Sequence, residues 1–119
     1  MADSTPKPPR GTSAAGAKFW RETLEAYDLE PHEYLLLTQV VGTIDAIEAL
    51  AEVARVEGAV VDSPQGTKAS PALVELRQQR VTLGRLLAML RLPSTDAEAE
   101  ELTRPQRRAG ARGVYRIVK

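Results

Sequence analysis

The chain has 119 residues, 43% hydrophobic and 27% charged, with no cysteine. That is enough for one small domain plus tails, and it excludes a disulfide framework or a thiolate metal site. Sixteen basic residues balance sixteen acidic ones, so any charge logic must come from their distribution. One Phe, one Trp and three Tyr leave the core to Leu, Val, Ile and Ala. The start lacks the apolar stretch of a signal peptide, and no run reads as a membrane span of roughly 20 apolar residues. These features predict an intracellular, soluble protein.

Residues 1–16, "MADSTPKPPRGTSAAG", carry no apolar period and predict a flexible arm. A short helix is expected over about 17–28, where Phe19, Trp20, Leu24 and Tyr27 recur at helical spacing. A long helix is expected over 31–57. Pro31 suits its first position, Glu33 the positive end of its dipole, and Gly58 its C-terminal stop. Leu37, Val40, Val41, Ile44, Ile47, Ala51 and Ala54 form its apolar stripe.

Residues 58–70, "GAVVDSPQGTKAS", hold extended-propensity residues around an Asp-Ser-Pro-Gln-Gly turn. They predict a short β-hairpin or an ordered loop. Ser70-Pro71 is an N-cap followed by proline at the first helical position. A third helix follows to about Arg91, with Leu73, Leu76, Leu83, Leu87 and Leu90 on its stripe, broadened by Val81, Leu86 and Met89. Pro93 stops it. Residues 94–119 read as a short acidic helix, about 97–103, and a basic tail ending in "VYRIVK". The expected fold is all-α: a short helix, then a long antiparallel helical hairpin with a β-hairpin or ordered loop at its tip. Flexible arms flank this 17–93 core.

Charge divides along these elements. The 31–57 helix is acidic, with Glu48 and Glu52 one turn apart, and the 71–91 helix is basic, with Arg77, Arg80 and Arg85. Complementarity within one chain and complementarity between neighbouring chains both fit this pattern. Residues 94–102 carry −4, and residues 103–119 carry +6 from Arg104, Arg107, Arg108, Arg112, Arg116 and Lys119. Such a tail suits salt-sensitive phosphate contacts. It equally suits a solubilising segment or a peptide docking on an acidic surface.

Chemistry-bearing constellations are weak. His32 is the only histidine and stands in a first helical turn, a poor place for a cation and without metal-ligand spacing. Glu48 and Glu52 belong to a polar helix face. Ser63, Thr67 and Ser70 have no adjacent base and serve turns and caps. The two glycines of the loop match no phosphate-cradling pattern. No enzyme activity and no cofactor are expected.

The order of elements resembles the small terminase subunits of tailed bacteriophages over Lys18 to Pro93. Trp20 follows a small leading helix, and Leu29-Glu30 opens the long one. Gly58, Ser63, Gly66, Lys68 and Ser70-Pro71 match the loop, and Arg77, Leu83, Leu86-Leu87 and Leu90-Arg91-Leu92-Pro93 match the closing helix. Glu30-Pro31 stands where an Asp is common, and Ser70 where an Asn is common.

The resemblance implies a non-enzymatic, ring-forming DNA-packaging factor. It would bind double-stranded viral DNA and recruit or regulate the large terminase subunit, which carries the ATPase and nuclease, in the host cytoplasm during virion assembly. On that reading the basic tail and Lys68 meet DNA. Val60 and Val61 with Arg77, Arg80, Arg85, Glu48 and Glu52 meet the neighbouring copy, and no membrane is involved. No basic recognition helix follows the leading one, so phosphate contact is expected rather than base readout. The alternative is a helical protein-binding adaptor without DNA affinity.

Overall fold

The computed structural model describes residues 5–93 and 105–107. Helix α1 spans Ala14–Ala26. Ser13 is its N-cap: the Oγ accepts from the Gly16 N–H at 3.3 Å, satisfying a donor that the first turn leaves without a helical partner. The same hydroxyl donates to Asp45 Oδ1 at 2.5 Å, and the Ser13 N–H donates to Asp45 Oδ2 at 3.2 Å. One carboxylate on the second helix therefore holds the start of the first. Gly16 makes this approach possible, because a Cβ there would lie 2.7 Å from Asp45 Oδ1 and 3.3 Å from the Val41 carbonyl oxygen.

Helix α1 stops at Ala26 because the next two residues leave helical geometry to pair with another segment. Strand β1 (Tyr27–Asp28) is antiparallel to β4 (Gln106–Arg107), with Tyr27 opposite Arg107 and Asp28 opposite Gln106. The Tyr27 hydroxyl donates to the Pro93 carbonyl oxygen at 2.8 Å. Pro93 and Pro105 are fully buried. These contacts gather the end of α3 and residues 105–107 beside the start of α2.

Helix α2 (Pro31–Glu57) has 27 residues, about 40 Å at 1.5 Å per residue. Pro31 opens it, and Glu33 Oε1 accepts from the Glu30 N–H at 2.7 Å. Gly58, at φ 88°, ends it in a backbone conformation that an L side chain resists. Strands β2 (Val60–Ser63) and β3 (Gly66–Ala69) then form an antiparallel hairpin, Val60 opposite Ala69 and Val61 opposite Lys68. Pro64 fixes a negative φ at the turn. The positive φ falls on Gly66, at 110°, and Ser63 Oγ donates across to the Gly66 carbonyl oxygen at 2.6 Å.

Helix α3 (Pro71–Leu90) starts under Ser70, whose Oγ accepts from the Leu73 N–H at 3.3 Å and donates to Glu57 Oε1 at 3.2 Å. It ends with Arg91 in the left-handed region, its N–H donating to the Leu87 carbonyl oxygen at 3.2 Å. Helices α2 and α3 pack along one another, and the core gathers at the end away from the tip. Trp20, Leu24, Leu37, Val41 and Leu90 form it, with Phe19, Leu29, Tyr34, Leu36 and Leu92 packed around it. Each such large side chain contributes roughly 1.5–3 kcal/mol by burial. Trp20 satisfies its indole N–H on the Pro6 carbonyl oxygen at 2.9 Å, as a buried Trp requires.

The molecule is mostly helical with two small antiparallel strand pairs, so it is not purely α. The tip is a β-hairpin, and the bounds of α2 agree with expectation. Three expectations need correction. The first helix begins at Ala14, because Ser13 is an effective cap tied to Asp45. The arm over 1–16 is accordingly not free along its length, since Pro6 accepts the Trp20 bond and Ser13 is held. Tyr27 and Asp28 are strand rather than helix, so the C-terminal arm is anchored at residues 105–107 by pairing and by burial of Pro105. The expected acidic helix at about 97–103 lies outside the described residues.

Helix α2 also departs from the expectation that no segment could span a membrane. It is long and apolar enough to cross one by length and composition, and only 17% of that stretch is buried. The cause is a second uncharged face, away from α3, that a reading of the buried stripe alone passes over.

Candidate assembly and nucleic-acid interface

The residues expected to meet DNA fall at opposite ends of the long axis. Lys68 is exposed on β3, opposite Val61, at the tip. Arg107 sits in β4 beside Tyr27, at the base, where the backbone pairing fixes its position. The length of α2, about 40 Å, separates them. Arg104, Arg108, Arg112, Arg116 and Lys119 lie outside the described residues.

The residues expected at a subunit interface lie along the hairpin. Val60 is 60% exposed and Val61 half-buried, as the alternation of a strand dictates. Arg77, Arg80 and Arg85 are exposed on α3, and Glu48 and Glu52 on α2. Complementarity between the arms of one chain, one of the two readings of the sequence, is not what this geometry contains. Arg77, Arg80, Arg85 and Glu48 form no ion pair among the described residues. The physical reason is placement: these side chains sit on the outward or lateral faces, while Leu37, Val40, Ala72 and Leu76 fill the seam.

The sequence reading also missed the partner of Glu52. Arg55 grips that carboxylate from within α2, Nε to Oε1 at 3.2 Å and a terminal nitrogen to Oε2 at 2.5 Å. The bond holds the Arg55 guanidinium above its ordinary pKa. The three-residue spacing was the available signal.

Exposed apolar side chains run the length of the hairpin: Val53, Val56, Val60 and Val74 toward the tip, Val81 midway, and Leu35, Leu87 and Met89 toward the base. Leu73, Leu83 and Leu86 are half-buried against α2, whereas Leu87 and Met89 point outward. His32 is exposed in the first turn of α2. Among the described residues no group of three or more His, Cys, Asp or Glu is arranged to hold a metal ion. The described surface presents exposed apolar side chains beside exposed charged ones.

No family model, curated protein sequence or solved structure matches this chain.

Proposed function

We propose that this chain is a small terminase subunit: a non-enzymatic DNA-packaging factor that assembles into a ring. On this reading it binds double-stranded viral DNA and recruits or regulates the large terminase ATPase/nuclease, in the host cytoplasm during virion assembly. The finer fold belongs to the same reading: a helical hairpin as the assembling body, with the β2–β3 tip as an assembly element. One observation carries it. The acidic face of α2 and the basic face of α3 are exposed, and no ion pair joins the two arms among the described residues. Their complementarity is thus available to a neighbouring copy. A contact between different faces of identical chains generates a ring when its rotation closes.

DNA contact runs through phosphates. Lys68 lies at the tip and Arg107 at the base, so one duplex meets both only if it lies along the hairpin axis. The six positive charges of residues 103–119 set the scale: fully engaged, they give a slope of log affinity against log salt of about −5.

Light scattering of the full chain combined with duplex retention across a salt series tests the reading. The expected result is a mass several times 13.0 kDa and retention that falls steeply with salt. A monomer at tens of micromolar defeats it. An oligomer that ignores DNA even at low salt points instead to a protein-binding adaptor. Deleting residues 104–119 separates tail-driven retention from contact made by the body.

A further inference from the structure

Two helix-interior glycines lack a packing reason among the described residues. A Cβ added at Gly42 in α2 or at Gly84 in α3 meets nothing within 4 Å. Glycine in a helix costs about 1 kcal/mol relative to alanine, so each position gives up stability with no packing return from the described residues of its own chain. Both glycines stand on outward faces. On α2, Leu35, Gly42, Ala49 and Val56 recur one heptad apart, with Ala46 and Val53 four residues after Gly42 and Ala49. Leu35 and Val56 are each 70% exposed. The face is uncharged, and Asp45, Glu48 and Glu52 run along its flank. On α3, Val74, Val81 and Ala88 recur at the same interval on the side turned from α2, with Gly84 beside them and Arg77 and Arg85 flanking.

The fold puts the two glycines at one height. Ser70 is bonded to Glu57 at the tip, and Leu90 shares the base cluster with Leu37. Counting evenly between these anchors, Val53 lies level with Val74, Glu48 beside Arg80, and Gly42 level with Arg85, next to Gly84. The outward faces of the two arms therefore match layer by layer: valines near the tip, opposite charges below them, glycines at mid-height.

We propose that the outward face of α3 in one copy seats on the outward face of α2 in the next, with Gly42 and Gly84 meeting where the backbones approach most closely. Arg77 and Arg80 then face Glu52 and Glu48 of the adjacent chain. Because the matching groups share a height, the contact needs rotation and no rise along the hairpin axis, which favours a closed ring over a filament. The inference rests on the self-assembling part of the proposed function and is independent of DNA. It deepens that part by naming the seam.

The test uses the full chain with Gly42→Leu and Gly84→Leu, which add bulk while raising helix propensity. Each single variant is expected to be monomeric by light scattering, with helicity and melting temperature equal to or above those of the original. An equimolar mixture is expected to give a complex of two chains that grows no further. The Gly42→Leu chain keeps a usable α3 face, and the Gly84→Leu chain keeps a usable α2 face. An α2-to-α2 interface predicts normal assembly of Gly84→Leu and no two-chain complex, and that result overturns the proposal. So does full assembly of both variants, and so does an original chain that is monomeric and floats with phosphatidylcholine vesicles, which would assign the α2 face to lipid. Retained assembly with lost DNA binding, measured separately, would break the packaging function and leave the seam intact.

Discussion

The base and the tip of this hairpin use the same aliphatic residues to different ends. At the base, Leu37, Val41 and Leu90 close around Trp20 and Leu24 from α1, and Trp20 is only 4% exposed. Toward the tip no third helix packs among the described residues. Val53, Val56, Val60 and Val74 stay 43–70% exposed although they are apolar like the residues buried at the base. A pair of helices buries one stripe of each partner and leaves the opposite side open. The base closes a core around Trp20, and the tip leaves its outward valines exposed.

Substitutions sharpen this contrast, beginning with the largest. Trp20→Ala removes the centre of the base core and should cost about 3–5 kcal/mol, a large share of the stability of a small domain. Chemical denaturation should show the loss as a lower midpoint. If the base is the cooperative unit, no truncation of an outward tip valine approaches it. Gly16→Val should cost about 1–3 kcal/mol by forcing α1 away from Val41 and Asp45. Gly42→Ala, into open space, should instead raise the melting temperature of a monomeric background. Two glycines on neighbouring helices would thus respond with opposite signs. Equal responses would mean that the α1–α2 contact is looser than the geometry describes.

Tyr27→Phe removes only the hydroxyl that binds the Pro93 carbonyl oxygen and should cost about 1 kcal/mol. Hydrogen exchange at the β1–β4 backbone should speed up more than exchange in α2. The smallest effect on folding belongs to Val60→Asp combined with Val61→Asp. Helicity and midpoint should hardly move, while the oligomeric mass should fall. An oligomer that survives this double change removes the tip hairpin from the assembly.

Much of the architecture was legible in sequence because its signals are local. Pro31, Gly58 and Ser70-Pro71 mark helix ends by backbone constraint, which tertiary context rarely overrides. The β2–β3 turn was legible for the same reason. The β1–β4 pairing was not: it joins residues nearly eighty positions apart, and two-residue strands carry no period to detect. The early start of α1 was hidden similarly, because Ser13 becomes a strong cap through Asp45, 32 residues away. At the candidate site, sequence located the charged residues on their helices but left open whether they pair within the chain. Only the packing shows that the seam between the arms is apolar and the charges stand outside it. The outward face of α2 escaped notice because Gly42, Ala46 and Ala49 read as neutral filler beside the stronger stripe.

The strand pairing at the base has a consequence for valency. Pro105 is buried and Gln106–Arg107 is hydrogen-bonded to Tyr27–Asp28, so whatever follows Arg107 starts from a fixed point far from the tip. In an assembly whose hairpins stand side by side, every copy releases its following residues at the same rim. Weak contacts from each chain then act at a shared high local concentration, and the combined affinity can exceed that of one chain by orders of magnitude. Cutting the β1–β4 tether lowers that local concentration without removing a single positive charge.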